Sequence, residues 1–121
     1  MILTLLASFL LTGCTATDGD TIRCGSERIR LLGIDAPEMP GHCRRGRVCA
    51  PGDPVRSKAT IAAMLRRGPV TITRTGRDRY GRTLALVSVN GRDLSCEQLR
   101  GGLAIYKPQW DTGGRLRSIC T

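Results

Sequence analysis

Apolar and polar positions along this chain change their period several times, and the order of those changes outlines a fold. Residues 1–13 are uncharged and mostly apolar. Thr15-Ala16-Thr17 leads into the turn signal Asp18-Gly19-Asp20, and Thr21-Ile22-Arg23-Cys24 leaves it as a strand. Gly25-Ser26 turns the chain into Arg28-Ile29-Arg30-Leu31-Leu32-Gly33-Ile34, whose first half alternates, so the opening reads as a three-stranded meander. Residues 39–52 lose the period and fill with Pro, Gly, Arg and Cys, the mark of a long basic loop. Asp53 then suits a helix N-cap and Pro54 the first helical position, where a missing N–H costs nothing. Val55, Ala59, Ala62 and Leu65 recur at helical spacing, and Gly68 stands where a left-handed residue would close the helix. Val70-Thr71-Ile72-Thr73 and the stretch 83–89 are two further strands. Asn90-Gly91 is a turn, Asp93 a second N-cap, and residues 94–100 a short helix stopped by Gly101-Gly102.

Three strands, a helix, two strands and a helix suit an α+β, mainly β fold: a five-stranded barrel of the OB type with two or three packed helices. With 121 residues and no repeat or linker, the chain holds one core. It divides into an apolar, export-like segment over residues 1–10 and a single domain over residues 11–121. The fold alone would permit nucleic-acid binding, sugar binding or catalysis.

Charge narrows the choice. There are 19 basic and 10 acidic residues, a net +9, and every basic residue except Lys58 and Lys107 is arginine. Guanidinium groups stay charged and bind phosphate oxygens in pairs, so the bias favours a polyanionic partner over mere solubility. Four aromatics, Phe9, Tyr80, Tyr106 and Trp110, leave little for base stacking and argue against sequence-specific reading.

Six cysteines, Cys14, Cys24, Cys43, Cys49, Cys96 and Cys120, imply an oxidising compartment. No CxxC occurs and His42 is the only histidine, so disulfides explain them better than zinc. The apolar run 1–13 is too short to span a bilayer and matches the core of a signal peptide, without the usual leading Lys or Arg. Leu11-Thr12-Gly13-Cys14 also fits the short pattern at which bacterial lipoproteins are cleaved and acylated on cysteine.

Three carboxylates lie close to the meander: Asp20 at the first turn, and Asp35 and Glu38 just after the third strand. Gathered carboxylates repel one another, and a hard cation such as Ca²⁺ compensates them; ordinary pairing with arginine is the plainer alternative. The wording of the segments decides between these. Asp18-Gly19-Asp20-Thr21, then Arg30-Leu31-Leu32-Gly33-Ile34-Asp35-Ala36-Pro37-Glu38, then Asp78-Arg79-Tyr80-Gly81-Arg82 resemble the three signature blocks of the staphylococcal nuclease (thermonuclease) family, in family order. The resemblance runs from about Cys14 to Tyr106.

It implies a calcium-dependent nuclease domain that hydrolyses phosphodiester bonds of DNA or RNA with little sequence preference and leaves 3′-phosphate ends. Asp20 and Asp35 would ligate Ca²⁺ through carboxylates and Ala36 through its backbone carbonyl. Glu38 would act as general base on the attacking water, Arg30 and Arg82 would grip the scissile phosphate, and Tyr80 would line the nucleotide pocket. An activated water, a cation at the phosphate and fixed donors for its oxygens are what phosphodiester hydrolysis needs. The implied partner is nucleic acid, with no stable protein partner and a monomeric enzyme. The other reading is a nucleic-acid-binding barrel without catalysis, for which the set Arg30, Glu38, Arg82 and both aspartates has no chemical use.

Three departures from the family pattern stand out. The loop after Glu38 carries Cys43, Cys49 and the cluster Arg44, Arg45 and Arg47, where the prototype has a mobile loop without cysteine. The long C-terminal helix is replaced by a short tail ending at Cys120. The late aromatics that stack on the base align ambiguously, with Tyr106 the nearest candidate and a core role equally open to it.

The family barrel also needs a strand before the Asp18-Gly19-Asp20 turn, and only about Leu10 to Thr17 can supply it. Cleavage at Cys14 would remove half of that strand, so Cys14 is read as a strand residue. Cys14 and Cys24 lie at equal steps either side of Gly19, which sets them opposite each other in a hairpin and within disulfide reach. Cys43–Cys49, chosen for closeness, and Cys96–Cys120 complete the expected pairing. Export to the periplasm or medium follows; the alternatives are a lipid anchor on Cys14 with a shortened strand, or a start codon upstream of Met1 with a signal peptide ahead of it.

Overall fold

The computed structural model describes residues 8–120, so most of the expected export segment lies outside the described residues. The chain opens on β1 (Ser8–Leu11) and β2 (Cys14–Asp18), dividing the stretch where one strand is expected. β3 (Thr21–Cys24) and β4 (Glu27–Leu31) complete the meander, and β5 (Ile34–Asp35) follows. After the basic loop come α1 (Pro54–Leu65), β6 (Val70–Arg77), β7 (Thr83–Val89), the short β8 (Arg92–Asp93) and α2 (Leu94–Arg100). β9 (Ile105–Tyr106), two single turns of 3-10 helix and α3 (Arg115–Ile119) end the chain.

The main sheet runs β1-β6-β7-β4-β3-β2, with β8 beside β7. As a hydrogen-bonded path it is open. Its two edge strands, however, are consecutive in sequence and separated only by Thr12 and Gly13. One bent segment thus pairs through its first half with β6 and through its second half with β3, and the chain itself joins the two edges. The α+β, mainly β fold is as expected, but in place of a closed five-stranded barrel stands an open seven-stranded sheet whose edges are linked through the chain. Ile22, Ile29, Leu31, Ile72 and Val87 are buried inside, and Ile61 of α1, Leu94 of α2 and Leu116 of α3 close the core from outside the sheet.

Four details differ from the sequence reading. The third strand is not continuous to Ile34: Gly33 adopts φ +77°, a left-handed value that ends β4 and re-aims the chain into β5, which pairs with β9. The buried face of α1 is Ser57, Ile61, Met64 and Leu65, while Val55 is exposed. Both faces have helical spacing, and Ser57 hid the true one because its hydroxyl is satisfied inside, donating to the Leu103 carbonyl at 2.8 Å. The α1 C-cap is Arg66 in a right-handed conformation, and Gly68 is not left-handed. The stretch beyond Trp110, expected only as a short tail ending at Cys120, forms α3, which buries Leu116 completely under Gly33, where an added Cβ would approach Leu116 to 2.8 Å.

Asp53 and Asp93 cap their helices as expected, accepting from the backbone N–H of Arg56 and Cys96. The three disulfides are Cys14–Cys24, Cys43–Cys49 and Cys96–Cys120. Cys14 and Cys24 are register partners in the β2–β3 hairpin with 4.0 Å between Cα atoms. No helix among the described residues is long and apolar enough to cross a membrane.

Candidate active site

The site begins at the β2–β3 turn, which is wedged against α1. A Cβ on Gly19 would meet Ser57 Oγ at 1.8 Å and the Ala36 Cβ at 2.9 Å, so only glycine fits. The fully buried Gln98 of α2 donates from Nε2 to the Gly19 carbonyl at 2.9 Å and to the Ser57 carbonyl at 3.0 Å. Asp20 is therefore fixed by both helices. Its Oδ2 accepts the Ala36 N–H at 2.7 Å and its Oδ1 the Thr21 hydroxyl at 3.0 Å.

β4 contributes the first cation. Alternation puts Ile29 and Leu31 into the core and Arg30 on the other face. The Arg30 guanidinium lies 3.2 Å from Asp20 Oδ2 and 3.7 Å from Asp35 Oδ1, and it donates to the Ile34 carbonyl at 3.0 Å. It also stacks on Trp110, 5.3 Å from the ring centroid. Asp35 is almost fully buried and Glu38 partly so. The basic loop returns to both: Arg47 Nη2 donates to the two oxygens of Asp35 at 3.0 and 3.1 Å, and Nη1 to Glu38 Oε1 at 2.8 Å. Burial works against the charge on Arg47, but Asp35 and Glu38 outweigh it and raise its pKa.

The second cation comes from the β6–β7 turn, and Asp78 shapes that turn. Its Oδ1 accepts the N–H groups of Tyr80 and Arg82, both at 2.9 Å, and its Oδ2 accepts Arg82 Nε at 2.7 Å. Burial opposes ionisation of Asp78, yet the bonds from Arg82 and Tyr80 hold its carboxyl below the usual range. Tyr80 is exposed, with the Arg82 guanidinium 5.5 Å from its ring centroid. Arg28 donates to the Tyr80 carbonyl at 2.5 Å and ties this turn to β4.

Asp20, Arg30, Glu38, Tyr80, Arg82 and Trp110 line one cleft of about 760 Å³. The structure thus brings together Asp20, Arg30, Asp35, Glu38, Tyr80 and Arg82 as the sequence suggests. Asp35 lies beneath the cleft wall, covered by Arg30 and Arg47. Ala36 joins through its N–H to Asp20. Tyr106 stands apart. It pairs with Ile34 in the β5–β9 ribbon, its hydroxyl donates to Asp111 at 2.6 Å, and it packs on the core instead of lining the cleft. The late aromatic that does line the cleft is Trp110.

Sequence reasoning also leaves Asp18, Gln98 and the anchoring role of Arg47 unassigned. Asp18 accepts the Asp20 N–H at 3.3 Å and lines the cleft. Burial, then the neighbouring Asp20 and Glu38, push its pKa up to about 7. Its place in the Asp18-Gly19-Asp20 motif was a signal for it; Gln98 gives none, because a glutamine within a short helix reads as surface.

The donors fit a hard divalent cation: the side-chain ligands offered are oxygens only, two of them the buried carboxylates of Asp20 and Asp35. The oxygens of Asp20, Asp35 and Glu38 are not all within 4.8 Å of one another, since Arg30 and Arg47 stand among them. Asp93, Cys96 and Cys120 do come that close, but both cysteines are spent in a disulfide.

Comparison with known proteins agrees with this geometry. The family described as "Staphylococcal nuclease homologue" matches residues 28–118. The chain belongs to the staphylococcal nuclease family. The matched stretch holds Arg30, Asp35, Glu38 and Arg82 and begins just after the hairpin that carries Asp20. A Haemophilus influenzae protein named "Uncharacterized endonuclease" is 34% identical over 93 residues, covering 73% of this chain and 47% of that relative. The matched stretch therefore spans about half the length of this relative.

Proposed function

We propose that this protein is a calcium-dependent nuclease that hydrolyses phosphodiester bonds of DNA or RNA with little sequence preference and leaves 3′-phosphate ends. The observation that carries the reading is Arg30, clasped by Asp20 and Asp35 and lining the same cleft as Arg82. Two braced guanidiniums share that cleft with the carboxylates of Asp20 and Glu38, and a phosphate diester with its counter-cation needs both kinds of charge. Asp20, Asp35 and the Ala36 carbonyl would hold Ca²⁺, which when bound would polarise the phosphate and orient a water. Glu38 would take the proton of the attacking water, Arg30 and Arg82 would neutralise the charge that builds on the phosphate oxygens, and Tyr80, exposed on the cleft, would line the nucleotide pocket.

The name of the relative supports endonucleolytic cutting. Three disulfides support export to the periplasm or medium. Cys14 favours the strand role over a lipid anchor, because a sulfur bonded to Cys24 has no thiol left to alkylate.

The test is to incubate the oxidised protein with single-stranded DNA, in Ca²⁺ or in chelator, and to analyse the ends. Calcium-dependent fragments carrying 3′-phosphates are expected. Undiminished cleavage in chelator would remove the metal from the account; salt-sensitive binding without cleavage would leave a binding barrel.

A further inference from the structure

The contacts of Arg47 go beyond what a surface phosphate-binding arginine needs. Its guanidinium bridges Asp35 and Glu38, the two carboxylates to which the proposed function gives the cation and the attacking water. Three hydrogen bonds of 2.8 to 3.1 Å saturate one edge and one end of the group. Arg44, Arg45 and Arg47 are all exposed, but of the three only Arg47 is shown bonded to these carboxylates. The residue does not reach the site on a loose tether. It lies inside the ring closed by Cys43–Cys49, and Val48 beside it is 95% exposed, so the arginine points in while its neighbour points out.

We propose that Arg47 is the resident counter-ion of the cation site, held there by the Cys43–Cys49 ring and displaced when a divalent cation binds. The inference rests on the calcium site argued above. A cation and a guanidinium compete for the same anionic oxygens of Asp35, and binding one requires letting go of the other. Displacement also releases Glu38 Oε1 from its bond to Arg47, so that both oxygens of the proposed base can face water. The released guanidinium remains on the cleft wall, where a substrate phosphate is the nearest replacement anion. Cation binding thereby uncovers the base and adds a third phosphate-binding arginine in one event.

Calorimetric titration with calcium chloride alone, without nucleic acid, reads the competition directly. Arg47→Gln removes the charge and keeps most of the size; it should bind Ca²⁺ about tenfold more tightly than wild type or better. Arg45→Gln, with the same change in net charge, should bind less than about twofold more tightly. Equal gains in the two variants would reduce Arg47 to a general charge effect, and weaker binding in Arg47→Gln would make it a support for the carboxylates; either overturns the proposal.

Should Arg47→Gln fail to fold, the wild-type protein answers by labelling with phenylglyoxal and peptide mass spectrometry. Arg47 should react several-fold more slowly than Arg45 in chelator and at a similar rate in saturating Ca²⁺. An Arg47 that labels as fast as Arg45 in chelator, or whose rate calcium does not change while calorimetry shows the ion bound, overturns the displacement. Absence of calcium binding in folded wild type and variants alike overturns the calcium site itself and the latch with it, a different result from a bound calcium that leaves Arg47 in place.

Discussion

Arg30 and Arg82 reach the same cleft by different routes, and each is braced before any substrate arrives. Arg30 is half-buried between two aspartates and Trp110, while Arg82 is gripped by Asp78 within its own turn. A side chain already fixed loses little rotamer entropy when it meets a phosphate. The carboxylate that Arg82 meets is Asp78 of its own turn, so on the proposed function its contribution would go to the charge that develops on the phosphate. Arg82→Ala should lower kcat about 100-fold with a much smaller change in KM, read from steady-state hydrolysis of single-stranded DNA. A raised KM at unchanged kcat would make Arg82 a binding residue only. Glu27 uses similar chemistry for stability: Arg74 donates to it at 2.7 and 2.9 Å and Thr83 at 2.7 Å, and the bonds from Arg74 hold its pKa at about 2 against the usual 4.5. Because the folded value is depressed, the stabilisation is complete above about pH 4.5 and is lost as pH falls toward 2. Urea midpoints across that window should fall steeply for wild type and less steeply for Glu27→Gln. Parallel profiles would remove Glu27 from the acid response.

At the scale of elements, the turn that carries Asp18 and Asp20 owes its position to α1 and α2. Gln98 bonds the Gly19 carbonyl and Ser57 bonds Leu103, all in the dry interior between helices and turn. Gln98→Ala would strand the buried Gly19 carbonyl, the Ser57 carbonyl keeping its bond within α1, and urea denaturation should show a loss of about 1 to 3 kcal/mol. Calcium-dependent activity should fall beyond what the unfolded fraction explains, because the turn loses its anchor. A loss below about 0.5 kcal/mol would mean that water replaces the amide. These anchors mark where sequence reading ran out. Asp53, Asp93 and the turn at Asn90 were legible because capping and turn chemistry are local. Ser57 and Gln98 were not, because a polar residue reads as surface until its buried partners, up to 79 positions away in the chain, are known. The same blindness rotated the expected face of α1 away from Ile61.

Over the whole molecule, strand order could be read from periodicity and the site from three short motifs, since each motif sits at a strand end and the meander gathers strand ends. The joining of the sheet edges through one bent segment was not legible, because Thr12-Gly13 reads as part of an apolar run. Nor was the inward turn of Arg47, which depends on how the Cys43–Cys49 ring folds back over Asp35. The net charge of +9 acts at this scale too, with six arginines, Arg28, Arg30, Arg44, Arg47, Arg79 and Arg82, facing one cleft. Affinity for single-stranded DNA in chelator should therefore drop at least about tenfold between roughly 50 and 200 mM salt, with little difference between sequences. Fluorescence anisotropy measures it, and a salt-independent affinity would point to another ligand.

The deciding measurement is the hydrolysis rate of Glu38→Gln on single-stranded DNA at saturating calcium, set against wild type once circular dichroism has shown both to be folded. The amide keeps the shape of the carboxylate and can no longer take a proton from water, so the rate should fall by about 100-fold or more. A folded Glu38→Gln that cleaves at the wild-type rate would contradict the assignment of this cleft as the hydrolytic site.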